Sequence, residues 1–398
     1  MKKSISVILS CLVALSVANL ASAEVKNTDR IKTAPIITGP GPVISPRPRV
    51  NPEPVVRNEK NIELVFVVDT TGSMGGLIQG AKTKIWNIVN DVMQHQKKGT
   101  KVKIGLVAYR DRGDAYVTKV TGLSEDLDKV YATLMDFQAQ GGGDEPEDVR
   151  QALWNGANSI QWSKTSSNLS KIIFLVGDAR PHTDYKDFPT TVETAKQAKK
   201  DGVIINTIQC GSLRETDKYW REIAQYAGGE YFSIAQDGGT KTIVTPYDEQ
   251  LRSLSTKLDS AYIPYGTTKE RSRALAMAEE TSGKIRDAAP AEAMAERAVN
   301  KSMNRYSYSS DDLVQGVENG NVKLQDLEED QLPENMQKMT ATEREAYVNK
   351  KISERKEIRA EIASVSRQRE EYIRKNTPKE SQSGFDAAVS KALAKQIR

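Results

Sequence analysis

Cysteine and histidine are the scarcest chemistry-bearing residues of this 398-residue chain, at two each. One cysteine, Cys11, lies in an apolar segment at the amino terminus, and only Cys210 belongs to the body of the sequence. A lone cysteine forms no internal disulfide, so a cross-linked scaffold is excluded even in an oxidising compartment. Cys210 ends an apolar strand-like run (residues 203–208) and reads as a buried core residue rather than a reactive thiol. Neither Ser nor Cys has the His partner and flanking glycines of an acyl-transfer nucleophile. Charge of one sign is also lacking. Lys and Arg number 57 against 53 Asp and Glu, and the formal charge of +4 becomes +2 without Lys2 and Lys3. No global balance therefore favours nucleic acid or an anionic membrane. After the first 23 residues no apolar run approaches the length of a membrane span, which argues against stable membrane insertion.

Those first residues have a pattern of their own. Lys2 and Lys3 precede the apolar run 5–17, and Ala21-Ser22-Ala23 supplies a small-residue cleavage signal. This is the layout of a secretory signal peptide over residues 1–23, with cleavage expected after Ala23. Residues 24–60 are rich in proline and poor in large apolar side chains, which predicts a disordered, extended linker. From residue 61 to 262, strand-like and helix-like stretches alternate. Strands are expected at 62–68, 102–109, 171–176, 203–208 and 230–234, and helices at 77–96, 125–137, 147–160, 191–200 and 215–226. A short run at 116–120 should pair antiparallel to the second strand. Such alternation predicts an α/β fold, a doubly wound, mainly parallel sheet flanked by helices. Beyond residue 265 the strand signal stops. Residues 263–340 read as a helical and irregular connector, helical at 269–304 with a polar break at 306–312. Residues 341–398 read as a long charged helix (343–375) and an amphipathic tail helix (385–397). The long helix has a sparse apolar seam of Val348, Ile352, Ile358, Ile362, Val365 and Tyr372, too short to establish a coiled coil. A helical hairpin docked on the sheet, or a homo-oligomer formed through that helix, ranks ahead of a free rod.

The most informative segment is the first strand and its turn. Residues 62–68 are continuously apolar apart from Glu63, and Asp69-Thr70-Thr71-Gly72-Ser73 follows. A strand of this kind is buried on both faces of a parallel sheet, and open α/β sheets place ligands at its carboxyl end. Asp69, Thr71 and Ser73 put three hard oxygens into five residues, the donor set of a divalent cation such as Mg²⁺, Ca²⁺ or Mn²⁺. Three acidic segments should reach the same edge: Gly141-Gly142-Gly143-Asp144-Glu145-Pro146-Glu147-Asp148, Val176-Gly177-Asp178-Ala179-Arg180-Pro181-His182, and Tyr109-Arg110-Asp111-Arg112-Gly113-Asp114 after the second strand.

On these motifs the chain resembles the von Willebrand factor type A domain. The D-x-[ST]-x-S form of that family's metal-ion-dependent adhesion site (MIDAS) is matched by Asp69, Thr71 and Ser73. Its third metal segment, an Asp after a buried strand, is matched by Asp178. The glycine-rich acidic loop and the G-D-A-R-P-H turn look most like members found in hemicentins and those linked to alpha-kinases. The helical part, with F-D-A-A-V near its end, looks like extensions of exported bacterial members. The resemblance implies a metal site drawn from Asp69, Thr71, Ser73, Asp178 and either Asp144 or Glu147, with Mg²⁺ as the first choice of ion. It implies a non-catalytic protein that engages a protein partner by interaction or adhesion, exported to the periplasm or beyond. Integrin-type members carry a threonine in the middle segment, so a carboxylate here adds negative charge.

Rival readings attach to the same residues. Asp69 could instead cap the following helix. Asp-x-Thr-Gly-Ser also resembles the nucleophile loop of Mg²⁺-dependent haloacid-dehalogenase-type phosphohydrolases, with Asp69 attacking phosphorus, Asp178 holding Mg²⁺ and a lysine such as Lys171 steadying the phosphoryl group. Thr70 stands where that family has Lys, and the acidic glycine loop is left without a role. Arg112-Gly113-Asp114 reads as a loop flanking the site rather than an integrin ligand. His182 reads as a loop residue, and Trp154 and Trp162 as packing residues.

Overall fold

The computed structural model describes residues 60–95, 100–143, 145–239, 243–303, 311–376 and 384–397. The expected signal peptide, all but the last residue of the linker, and Asp144 lie outside the described residues.

Among these, the sheet has six strands in the order β3-β2-β1-β4-β5-β6. They are β1 (Asn61–Asp69), β2 (Lys101–Tyr109), β3 (Thr118–Ser124), β4 (Leu169–Gly177), β5 (Val203–Cys210) and β6 (Tyr231–Ile234). All neighbours pair in parallel except β2 and β3. The antiparallel edge strand begins two residues later and runs further than the sequence suggests, and its outer positions are largely exposed.

Strand β1 is the centre, bonded to β2 and β4 on its two sides. Its side chains alternate between two cores, as the period of a strand requires. Ile62, Leu64, Phe66 and Val68 enter one core, and Val65 and Val67 the other. The first core is covered by α1 (Gly75–His95) and α2 (Leu127–Met135). The second is covered by α3 (Val149–Trp154), α4 (Thr191–Lys200) and α5 (Arg214–Ala227), with Trp220 fully buried in it. Cys210 is buried in the first core. Trp154 is half-buried and packs on Phe188, with ring centroids 6.5 Å apart, and half-buried Trp162 donates to the Gly156 carbonyl.

The helices after the sheet are α6 (Asp248–Asp259), α7 (Thr268–Ala288), α8 (Ala291–Met303), α9 (Leu313–Glu318), α10 (Glu334–Gln337), α11 (Ala341–Asn376) and α12 (Phe385–Gln396). The helical stretch expected at 269–304 is two helices, broken at Pro290, whose ring cannot continue a helix interior. The second of them, α8, packs against α1, α6 and α11. The tail helix α12 packs on α1 and enters the sheet's own core, where Phe385 meets Phe66 at 6.1 Å between ring centroids. Burial of that one ring is worth about 2–3 kcal/mol.

Charge holds this region as much as apolar contact does. The Arg297 side chain, 1% exposed, donates to Asp128 on α2 and Asp259 on α6 at 2.6–2.9 Å, and Lys301 pairs with both carboxylates. On α11, Arg355 pairs with Asp312 at 2.7 Å, and Arg369 with Asp248 and Glu296. Of the expected apolar seam, Val348, Ile362 and Val365 are buried, Ile352 and Ile358 half-buried, and Tyr372 exposed. The long helix is therefore neither a free rod nor held by that seam alone, because buried arginines anchor it on α6, α8 and α9. Among the described residues no helix is long and apolar enough to cross a membrane.

Candidate metal centre

The carboxyl ends of β1, β2 and β4 meet at one edge of the sheet. Asp69 is the last residue of β1, fully buried, and pairs in register with Tyr109 at the end of β2. Its Oδ1 accepts from the Thr71 backbone N–H at 2.9 Å and from Thr71 Oγ1 at 2.7 Å. Thr71 Oγ1 lies 3.5 Å from Ser73 Oγ, in a 3-10 turn (Gly72–Met74) that leads into α1. The turn has no helix-capping bond from the Thr71 side chain. The Asp69 Oδ1 bonds go to Thr71 and to no N–H of α1, so Asp69 is not a cap of that helix.

Asp178 follows β4 directly, is 6% exposed, and accepts from Gln236 Nε2 at 2.6 Å. Gln236 sits just beyond β6 and was given no role by the sequence, since a loop glutamine after a short edge strand has no pattern. The acidic glycine loop is stitched to the same edge. Gln140 N–H donates to Thr70 O, and Gly72 N–H to Gly141 O, both at 3.1 Å. Gly141 has φ +80°, and a Cβ there would stand 2.2 Å from the Asp114 carboxylate, so only glycine fits. Further along, Glu147 N–H donates to Arg180 O and Glu147 O accepts from His182 N–H, each at 3.1 Å. These bonds fold Glu147 inward until it is 3% exposed.

Asp69, Thr71, Ser73, Glu147 and Asp178 are therefore brought to one edge. Asp111 and Asp114 also belong to this neighbourhood, though the sequence marked only their segment. Asp111 accepts from Tyr185 Oη at 3.0 Å and lies 3.4 Å from His182 Nε2, while Asp114 accepts from Gly142 N–H at 3.2–3.3 Å. His182 stacks on Tyr185 at 3.9 Å between centroids and is a packed loop residue. Arg112 of the Arg112-Gly113-Asp114 triplet is occupied, paired with Asp148 and Asp187 and stacked 3.8 Å from the Tyr185 centroid.

Electrostatically the edge is over-supplied with negative charge. Burial first, and then the Asp178 carboxylate, push the Asp69 carboxyl up to about 7. Burial, then Asp69, Asp111, Asp114 and Asp178, push Glu147 up to about 9. Three buried carboxylate oxygens, Asp69 Oδ2, Asp111 Oδ1 and Glu147 Oε2, have no hydrogen-bond partner. The Tyr109 hydroxyl beside Asp69 donates to Val176 O at 3.4 Å and, with the Thr71 bonds, partly offsets the upward push on the Asp69 carboxyl. Orphaned buried carboxylate oxygens are costly, and a hard dication satisfies them. Among the described residues no three His, Cys, Asp or Glu side chains are gathered closely enough to hold an ion by themselves. The polar groups gathered at this edge, the Thr71 and Ser73 hydroxyls among them, offer oxygen donors.

The phosphohydrolase alternative is not favoured, since its named lysine is far from the edge. Lys171 lies at the opposite end of β4, bonded to Thr165 Oγ1 at 2.8 Å and seven residues from Asp178. Seven strand residues span about 23 Å.

The parallel sheet between helix layers is a von Willebrand factor A-like fold over the stretch that a family model matches. The family's sequence model, described as von Willebrand factor A domain, matches residues 63–246, stopping just before α6. Human von Willebrand factor A domain-containing protein 7 is 30% identical over 196 residues, 48% of this chain and 20% of that protein. Alpha-protein kinase vwkA of Dictyostelium discoideum is 26% identical over 132 residues, 33% of this chain and 20% of that one. This chain thus covers a fifth or less of the length of these relatives. Among solved structures, mussel byssus proximal thread matrix protein 1 with a zinc-occupied MIDAS motif is similar at 15% identity and TM-score 0.34, over 46% of this chain and 44% of that one.

Proposed function

We propose that the β1–β4 edge binds one divalent cation and that the domain uses this face to engage another protein. Asp69 carries the reading: a fully buried carboxylate at the end of the central strand, with one oxygen unpartnered and Asp178 close enough to raise its pKa. Thr71 and Ser73 would ligate directly, Asp69 and Asp178 directly or through water, and Glu147 from the middle loop. Asp144, the other middle-loop candidate, lies outside the described residues. The ion would neutralise the carboxylates and offer an open coordination position. Mg²⁺ is the first choice, with Ca²⁺ and Mn²⁺ sharing its taste for oxygen. The role is coordination and adhesion rather than catalysis. The domain would occupy residues 61–262 of an exported chain, with residues 263–340 and 341–398 acting as a brace built onto the sheet.

The test is thermal unfolding in chelator and after adding back Mg²⁺, Ca²⁺ or Mn²⁺, for the parent and Asp69→Ala. A ligand that binds only the folded state raises its melting temperature. A rise in the parent alone supports the reading. Equal behaviour of the two proteins would remove it.

A further inference from the structure

Thr70 stands between two candidate ligands, Asp69 and Thr71, and is itself turned the other way. It is fully buried. Its N–H and its Oγ1 both donate to Tyr109 O, at 2.9 and 2.8 Å, and Oγ1 lies 2.7 Å from Tyr116 Oη. The side chain is thereby pinned to the end of β2. Its carbonyl meets the acidic glycine loop, accepting Gln140 N–H at 3.1 Å and Arg110 Nε–H at 3.1 Å. A second arm of the same guanidinium, Nη2, donates to Gln138 O at 2.8 Å. Arg110 is thus a fork between the turn that carries Asp69, Thr71 and Ser73 and the loop that leads to Glu147. It is 4% exposed, and its guanidinium carbon lies 4.5 Å from the Tyr116 ring centroid. At an edge crowded with carboxylates, both of its side-chain hydrogen bonds go to backbone carbonyls. A rigid, planar guanidinium fixes the spacing of two acceptors, which the single ammonium of lysine does not.

We propose that Arg110 is a positioning residue for the cation site, bolting the 69–73 turn to the acidic glycine loop so that both donor groups stand preformed. The inference rests on the cation reading above. Its substance is geometric: Arg110 touches no candidate ligand side chain and acts through the carbonyls of Thr70 and Gln138.

The parent, Arg110→Lys and Arg110→Met are compared in two measurements. Amide hydrogen exchange in chelator follows Gln140 N–H, which bonds Thr70 O, and Gly72 N–H, which bonds Gly141 O. Exchange about tenfold faster at these two amides is expected in both variants, with β1 and β4 as protected as in the parent. Mn²⁺ binding, read from the electron paramagnetic resonance of the free ion, should weaken about 10–100-fold in both. The Lys variant is decisive, because it keeps the charge and loses the fork. Parent-like Mn²⁺ affinity in Arg110→Lys would make Arg110 a mere counter-charge and overturn the proposal. Unaltered exchange at Gly72 and Gln140 would overturn it as well, as would exchange accelerated equally throughout β1 and β4, the mark of a purely structural role. Failure of the parent to bind Mn²⁺ more tightly than Asp69→Ala would instead remove the cation reading, leaving the exchange data to judge the fork by itself.

Discussion

Replacing Asp69 by Asn should make the cation-free protein more stable while abolishing its response to cations. The reasoning is a linkage argument. A carboxyl whose folded-state pKa is raised binds a proton more tightly when folded, so the folded state loses stability as pH climbs from the unfolded value to the folded one. For Asp69 that window runs from about 4 in the unfolded chain up to about 7 in the folded one. Three pKa units correspond to about 4 kcal/mol at pH 8. Asparagine keeps the acceptor that Thr71 uses. It adds an amide N–H₂ where Oδ2 has no partner, so part of the gain is forfeited. A net gain of about 1–3 kcal/mol remains, or roughly 2–6 °C in melting temperature. The assay is thermal or urea unfolding in chelator at pH 8, repeated towards pH 4, where the gain should vanish. A variant no more stable than the parent at pH 8, or with a gain that does not shrink on acidification, would refute the claim that Asp69 is a buried, frustrated charge.

Three other outcomes follow from the packing. Arg297→Met leaves Asp128 and Asp259 with Lys301 as their one remaining shared cation, and should cost about 3–5 kcal/mol in urea unfolding. Burial alone would raise both carboxyls, but Arg297 and Lys301 outweigh it and hold them below the ordinary carboxylate range. The stability they contribute is thus complete above pH 4 and lost as pH falls through their folded values, and acid unfolding of Arg297→Met should show a shallower dependence there. Phe385→Ala, which empties the ring position against Phe66, should cost about 3–5 kcal/mol and release α12 first, read as faster amide exchange over residues 385–396.

Much of this protein was legible in one dimension because its signals are local. A buried parallel strand must be apolar on both faces, so residues 62–68 announced β1 without any neighbour, and the helix–strand alternation that followed fixed the layered sheet. Asp69, Thr71 and Ser73 share one turn, so their convergence needed no tertiary knowledge, and Asp178 was readable as the residue directly after a buried strand. Tertiary structure decided what depends on distant chain segments. Glu147 is driven inward by backbone bonds to residues over thirty positions away, which no spacing rule encodes. Asp111 and Gln236 reach the edge through β2 and β6, and only the strand order puts those ends beside β1 and β4. Docking of the helical region was expected, but the residues that hold it were not legible, for the same reason. Its sequence shows only a sparse apolar seam among many charges, and Arg297, Arg355 and Arg369 are buried because their carboxylate partners arrive from other helices. A charged side chain carries no mark of whether it will meet water or a counter-ion. That choice is made only when the helices pack.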